Sequence, residues 1–115
     1  MSHARMRRVD GTVRAVLSDA IATQIKDPRV GFVTVTAVKT SPDLRHASVY
    51  VSVLGDETKR AASLDGLRSA QGFLQRLLAR ELTLKHTPTL TFAYDASIDT
   101  GMRITELLES EPPDG

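Results

Sequence analysis

The chain has 115 residues, a formal net charge of +1 and no cysteine, and 41% of its residues are hydrophobic. This length suits one compact domain, and the lack of cysteine excludes thiol catalysis, disulfides and thiolate metal sites. No apolar run approaches the roughly 18 residues of a membrane span, and no apolar segment follows the basic N terminus as in a signal peptide. We therefore expect a cytoplasmic protein that does not enter a membrane.

The charges are distributed unevenly along the chain. Residues 1–29 hold six basic and three acidic residues, and residues 59–86 hold six basic and two acidic residues. Residues 87–115 hold one basic residue and six acidic ones. If the two basic regions lie side by side, they form one positive surface of the kind that attracts nucleic acid. The alternative is that these charges only solvate the outer faces of helices.

The first predicted element is a helix. Apolar residues recur three and four positions apart from Val9 to Ile25, as they do on one face of a helix. Pro28 disfavours helical geometry at Asp27, so we expect the helix to end near Lys26. The segment around Pro28 is expected to be a stiff connector.

Two strands follow, joined by a short turn at residues 41–43 that makes them an antiparallel hairpin. The first strand is predicted from Val30 to Thr40. Its alternation puts Val33, Val35 and Ala37 on one face, and Phe32, Thr34, Thr36 and Val38 on the other. Because both faces carry apolar side chains, the sequence does not decide which face of this strand points into the core. The second strand runs from His46 to Leu54, and its inward residues are predicted to be Ala47, Val49, Val51 and Val53.

A second helical stretch is predicted from Lys59 to Leu84, with Ser63 as one candidate N-cap. Gly72 lies inside it. A glycine in a helix interior costs about 1 kcal/mol relative to alanine, which indicates a kink or a close approach by another backbone. The face opposite the apolar stripe is polar and basic, and it comprises Arg68, Gln71, Gln75, Arg76 and Arg80.

A strand from Leu90 to Tyr94 and a short helix after Ser97 complete the order α-β-β-α-β-α. A strand–helix–strand connection is right-handed, so a third strand beside the second runs parallel to it. The fold class is then α+β, with the helices on one face of a three-stranded mixed sheet and the second strand at its centre. We expect a flexible N terminus at residues 1–6, one domain at 7–108 and an acidic disordered tail at 109–115.

The sequence offers little for catalysis. It has no phosphate-binding glycine-rich loop and no dinucleotide fingerprint, and its three histidines lack partners at metal-ligand spacing. Asp95 and Asp99 near Ser97 favour helix capping over acid–base chemistry. We expect no enzyme, no metal, no cofactor and no small-molecule substrate. Aromatic residues make up only 4% of the chain, and we interpret four of them as core residues, namely Phe32, Phe73, Phe92 and Tyr94.

Several short motifs stand in the order and at the spacing of a known family. They are Arg8-Val9, Asp27-Pro28-Arg29-Val30-Gly31, Ser41-Pro42-Asp43-Leu44, the strand from Ala47 to Leu54, Ala70-Gln71-Gly72-Phe73-Leu74, the segment from Pro88 to Asp95, and Gly101-Met102-Arg103-Ile104. Over about residues 5 to 108 the chain resembles ribosome-binding factor A, a family of bacterial factors for assembly of the small ribosomal subunit.

This resemblance implies a type II KH-like fold, α-β-β-α(kink)-β with a short C-terminal helix. In ordinary KH domains a Gly-x-x-Gly loop between two helices clamps the nucleic-acid backbone. In this family an Ala-x-Gly kink replaces that loop, here at Ala70-Gln71-Gly72. The resemblance also implies a non-enzymatic factor that binds the immature small ribosomal subunit and its rRNA. Such a factor acts in late maturation and pre-rRNA processing and supports growth in the cold.

We interpret seven of the basic residues in these two regions as contacts of a monomer to RNA phosphates. Because stacking aromatics are scarce, contacts to backbone and shape are expected to dominate. The expected phosphate contacts are Arg8, Arg14, Arg29, Arg68, Arg76, Arg80 and Lys85. The kink residues Ala70, Gln71 and Gly72 are expected to position the helices. Two alternatives remain, a generic KH-like RNA-binding module and a protein-interaction adaptor.

Overall fold

The computed structural model describes residues 3–97, and within them the chain forms three helices and three strands. Their order is α1 (His3–Thr23), β1 (Val33–Thr40), β2 (His46–Val53), α2 (Glu57–Ser69), α3 (Gln71–Glu81) and β3 (Thr89–Tyr94). The predicted helix after Ser97 and the predicted acidic tail lie outside the described residues.

The sheet has the predicted topology. Its strand order is β1-β2-β3, with β1 antiparallel to β2 and β3 parallel to β2. The predicted alternation of the central strand is confirmed, because Ala47, Val49, Val51 and Val53 are all buried while the residues between them are more exposed. Every second side chain of β2 therefore points into the core.

The first strand departs from simple alternation. A β-bulge lies between Val35 and Ala37, since Val35 pairs with Val51 and Ala37 pairs with Tyr50. Thr36 is the extra residue, and its hydroxyl oxygen lies 3.2 Å from the carbonyl oxygen of Tyr50. A bulge shifts the following residues to the opposite face. The inward positions of β1 are therefore Val35, Val38 and Thr40, and the predicted grouping of Val33, Val35 and Ala37 is wrong beyond Val35.

The three helices pack on one face of the sheet, as predicted. One buried cluster joins α1, α2, α3 and the sheet, and its fully buried helical members are Val13, Leu17, Leu67, Leu74 and Leu78. The helix α1 begins at His3 rather than near Val9 and ends at Thr23 rather than Lys26. It is also fastened to β1, because Asp10 accepts hydrogen bonds from the backbone N–H of Thr40, at 2.9 Å, and from its hydroxyl.

Two expectations about single residues are wrong. Ser63 does not cap a helix. Asp56 is the N-cap of α2 and accepts from the Lys59 N–H at 3.0 Å, while Ser63 is buried in the middle of that helix. Phe32 is not a core residue either, because it is 80% exposed, whereas Phe92 is 4% exposed. Phe32 precedes β1, and the alternation that turns Val35 inward puts Phe32 on the opposite face.

Candidate nucleic-acid interface

A single residue, Ala70, separates α2 from α3. Its backbone angles are φ −87° and ψ 1°, which differ from those of an α-helix. Its N–H still bonds to the carbonyls of Gly66 and Leu67, both at 3.1 Å, and its carbonyl accepts from the Leu74 N–H at 3.0 Å. No side chain caps the N terminus of α3. The first amides of α3 therefore lie at the positive end of a helix dipole, which favours an anion.

Gly72 lies in the first turn of α3 and is exposed. An added Cβ there would contact only the Arg76 guanidinium, at 3.6 Å, which is an ordinary contact distance. Packing of the protein itself therefore does not require glycine at this position. The missing side chain leaves the α3 backbone open to solvent, with Arg76 beside it.

The sequence indicated a kink or a close approach by another backbone near Gly72. The kink is found at Ala70, whereas the close approach is found at Gly66, a buried residue of α2. A Cβ on Gly66 would lie 2.5 Å from Cγ2 of Val30 and 3.4 Å from Cβ of Arg29. The connector at residues 27–30 thus packs directly against the α2 backbone. Sequence reasoning missed this residue, although the cost of a glycine inside a helix applied to it equally.

Asp27 and Arg29 of the connector form a bidentate ion pair. The Arg29 Nε donates to Oδ1 at 3.1 Å, and Nη2 donates to Oδ2 at 2.7 Å. Nη2 also donates to the hydroxyl of Ser69, at 3.0 Å, in the last turn of α2. These hydrogen bonds from Arg29 lower the pKa of Asp27 to about 2. Arg29 therefore fastens the connector beside the kink, with 47% of its side chain still exposed.

Ser63 provides a second link between the connector and α2. Its hydroxyl accepts from the Gly31 N–H and donates to the Arg29 carbonyl, both at 3.3 Å. The Arg29 carbonyl lies in the connector and the Gly31 N–H lies between the connector and β1, so neither group belongs to a strand. The buried serine satisfies them, which explains a polar residue on the inner side of α2.

Three polar side chains on the α2–α3 face cover the free edge of β3. Arg68 donates to the carbonyl of Phe92 at 3.1 Å, Gln71 to that of Leu90 at 2.7 Å, and Gln75 to that of Pro88. Gln75 also accepts from the Leu90 N–H at 3.3 Å. We call Arg68, Gln71 and Gln75 the edge ladder. It satisfies groups that an edge strand otherwise leaves open to another chain.

The predicted phosphate contacts therefore divide into two groups. Arg29 and Arg68 bond within the protein, and Arg68 keeps 56% of its side chain exposed. The remaining five are exposed, and they are Arg8, Arg14, Arg76, Arg80 and Lys85.

The exposed cations do not share one face. Arg8 and Arg14 are six residues apart, which places them about 120° apart around α1. Arg76 and Arg80 are four residues apart and are neighbours on α3. The helices α1 and α3 do pack together, but Asp19 and Glu81 line the groove between them together with Arg80. Acidic residues therefore interrupt the positive charge between α1 and α3, and Arg76 and Arg80 form a separate pair of exposed cations on α3.

Within residues 3–97, no three histidine or acidic side chains converge as metal ligands would. None of the helices in that same range has both the length and the hydropathy needed to cross a membrane. The arrangement at the kink, with uncapped amides at the start of α3 and Arg76 beside them, can hold an anion.

Together, the sheet topology and the interrupted helix pair define an α+β protein of KH-like type. Residues 5–108 match the sequence profile of the family described as Ribosome-binding factor A, and the chain belongs to that family. A relative of that name from Halothermothrix orenii is 43% identical over 95% of this chain and 89% of its own length. One from Anaeromyxobacter sp. (strain Fw109-5) is 49% identical over 94% of this chain and 89% of its own.

Solved structures agree with this assignment. The solution structure of a Thermotoga maritima protein, described as a putative ribosome binding factor A, superposes with a TM-score of 0.71 at 32% identity. It covers 81% of this chain and 89% of the Thermotoga chain. A Thermus thermophilus homology model fitted into a cryo-EM map of a 30S–RbfA complex gives a TM-score of 0.56 at 33% identity. It covers 74% of this chain and 93% of the Thermus chain.

Proposed function

We propose that this protein is a non-catalytic assembly factor that binds the immature small ribosomal subunit through its rRNA. The observation that carries the proposal is membership of the ribosome-binding factor A family over residues 5–108. The Thermus thermophilus relative was fitted into a map of its complex with the 30S subunit. We further propose that the protein works as a cytoplasmic monomer in late maturation and pre-rRNA processing, and that it supports growth in the cold.

The kink and α3 are the proposed centre of the RNA contact. A phosphate that approaches Gly72 meets backbone amides at the N terminus of α3 and the guanidinium of Arg76. Arg80, one turn further along the helix, is placed to reach an adjacent phosphate. Arg8, Arg14 and Lys85 are proposed as outer contacts. Arg29 and Arg68 contribute their charge while they also make hydrogen bonds within the protein.

Gradient sedimentation with immature and mature small subunits tests the proposal. The wild-type protein is expected to migrate with immature subunits at low salt and to be released as the salt concentration rises, because phosphate contacts release counterions. A protein that stays at the top of the gradient at low salt would contradict it. Migration with any RNA, without preference for subunits, would favour the generic RNA-binding alternative.

Charge reversal at Arg76 and Arg80 tests the proposed contact surface. The double variant Arg76→Glu, Arg80→Glu is expected to bind subunits roughly tenfold more weakly or worse, since two phosphate contacts become repulsive. Its thermal unfolding should remain close to wild type, because both residues are exposed. The matched control is Lys26→Glu, Lys59→Glu, which makes the same charge change at exposed positions elsewhere. Unchanged binding by the Arg76/Arg80 variant would remove α3 from the interface and favour the adaptor alternative. Equal loss in both variants would show that binding follows overall charge and not this surface.

The proposed role in pre-rRNA processing and growth in the cold has its own test. A strain that lacks this protein is expected to accumulate precursor small-subunit rRNA and to grow poorly at low temperature. The wild-type gene should rescue both defects, the Arg76/Arg80 variant should not, and the Lys26/Lys59 control should. Normal rRNA ends and normal growth in the cold in the deletion strain would contradict this part of the proposal.

A further inference from the structure

A second cluster of cations lies away from the kink, where the β1–β2 turn meets the segment between α3 and β3. Arg5 from α1, Arg45 from the turn, and Lys85 with His86 from the segment line one cavity of about 120 Å³. These residues come from three distant parts of the chain and are all exposed. Folding, rather than closeness in sequence, therefore brings the cations together. We call this cavity the turn pocket.

Two hydrogen bonds, one between backbone groups and one to a side chain, fix the walls of the turn pocket. The N–H of Thr89 donates to the carbonyl of Arg45 at 2.8 Å, which joins the start of β3 to the turn. On the other side, Asp10 of α1 accepts from the N–H of Thr40 at 2.9 Å, which holds α1 against the end of β1. The elements that carry Arg5, Arg45 and Lys85 are therefore held in a set arrangement.

The turn itself is held in an unusual conformation. Leu44 has a φ of 61°, in the left-handed region that bulky side chains avoid. Its side chain is only 7% exposed and packs in the core, and its N–H donates to the Ser41 carbonyl at 2.8 Å. Asp43 accepts from the Ser41 hydroxyl at 2.6 Å and from the Arg45 N–H at 3.0 Å. The Arg45 side chain thus extends from a backbone that is already ordered, which reduces the conformational entropy lost on binding.

The charge balance of the turn pocket favours an anion. Three permanent cations, Arg5, Arg45 and Lys85, line it together with one carboxylate, Asp43. The Ser41 hydroxyl and the Arg45 N–H hold the pKa of Asp43 below its usual value, so this carboxylate stays charged, and both bonds use its Oδ1. The excess of cationic N–H donors matches a phosphate group, which guanidinium and ammonium groups bind by charge-assisted hydrogen bonds.

We propose that the turn pocket binds a phosphate of the RNA backbone, as a second contact point beyond α3. This inference rests on the proposed function, which supplies the RNA. It assigns Arg5, Arg45 and His86 to the interface, which composition and helix patterning did not. It also places Lys85 beside Arg5 and Arg45, which are distant from it in the sequence.

The salt dependence of subunit binding tests the proposal. The variant Arg45→Ala, Lys85→Ala should flatten the slope of log K against log salt concentration by about 1 or more, since each phosphate contact contributes roughly 0.7–0.9. The matched control Lys26→Ala, Lys59→Ala removes the same charge outside the pocket and should keep the wild-type slope. Equal slopes for the two double variants would overturn the proposal. Failure of the wild-type protein to bind subunits would instead refute the proposed function.

An NMR titration examines the turn pocket without ribosomes. It distinguishes a phosphate of RNA from free inorganic phosphate as the bound group. A short single-stranded RNA, added at constant ionic strength, is expected to shift the amide signals of Arg45 and Lys85, and the Arg45/Lys85 variant should lose most of that response across the turn. The control variant should keep it. Absence of RNA-induced shifts there would overturn the proposal even if the protein binds subunits. Saturable shifts with inorganic phosphate but not with RNA would also overturn it, because the pocket would then hold a free anion.

Discussion

Substitution by alanine should affect stability differently at Gly66 in α2 and at Gly72 in α3. A Cβ on Gly66 would lie 2.5 Å from Cγ2 of Val30 and within 3.5 Å of Asp27, so the connector has to move or Val30 has to change rotamer. Overpacking of this kind costs about 1–3 kcal/mol, and the gain in helix propensity returns about 1 kcal/mol. Gly66→Ala is therefore expected to lower the free energy of unfolding by about 1 kcal/mol.

Gly72→Ala is the matched control, because it makes the same chemical change in the next helix. No steric conflict opposes it, since the added Cβ would contact only Arg76 at 3.6 Å. It should leave stability unchanged or raise it by up to about 1 kcal/mol. Because 1 kcal/mol shifts the melting temperature of a domain of this size by roughly 4 °C or more, the two variants should separate clearly in thermal and urea unfolding.

The variant Val30→Ala shows whether the proposed clash is the cause. In a Val30→Ala background the atom that obstructs Gly66→Ala is gone, so the added methyl group should no longer destabilise the protein. The interaction energy of the two substitutions should then offset most of the loss caused by Gly66→Ala alone. Gly66→Ala with wild-type stability would refute the packing argument. So would a loss in Gly72→Ala as large as that in Gly66→Ala.

Two further predictions concern the connector and the edge of β3. The folded-state pKa of Asp27 is about 2 against a usual 3.8, so Asp27 stabilises the fold above about pH 4 and this contribution is lost as the pH falls toward 2. The difference in urea midpoint between wild type and Asp27→Asn should be constant above that range and shrink below it; a difference independent of pH would contradict the Asp27–Arg29 pairing. Gln75→Ala should cost about 1 kcal/mol and speed hydrogen exchange at the Leu90 amide, which loses its acceptor. The Thr89 amide, which bonds to Arg45 instead, is the internal control, and unchanged exchange at Leu90 would contradict the edge ladder.

Much of the fold follows from local pattern. Four inward aliphatic residues at a spacing of two are enough to orient β2, since a shift of one residue would expose all of them. The right-handed crossover then places β3 beside β2 and the helices above them. The register of β1 does not follow in this way. Both faces of that strand are partly apolar, and the bulge at Thr36 depends on partners in β2 and at Asp95, 59 residues further along the chain.

The site is harder to read from sequence than the fold, because its residues act through tertiary contacts. Gly66 and Gly72 are alike in a helical pattern, and only the approach of Val30 distinguishes them. Ser63 looks like a helix cap because serine favours caps. In the structure, Asp56 takes that role and Ser63 satisfies the backbone of Gly31 and Arg29.

The division of the α2–α3 polar face has a consequence for how charge variants are interpreted. Arg68 belongs to the edge ladder and Arg29 holds the connector, so removal of either charge also removes hydrogen bonds within the protein. A loss of RNA binding in those variants would combine lost attraction with a loosened α2. Arg76 and Arg80 are exposed on α3, and no bond to another part of the described chain depends on them. Their substitution therefore isolates the electrostatic contribution. An interface defined only by counting basic residues would give all four arginines the same weight. The Phe92 carbonyl and the Asp27 carboxylate instead give Arg68 and Arg29 roles inside the fold.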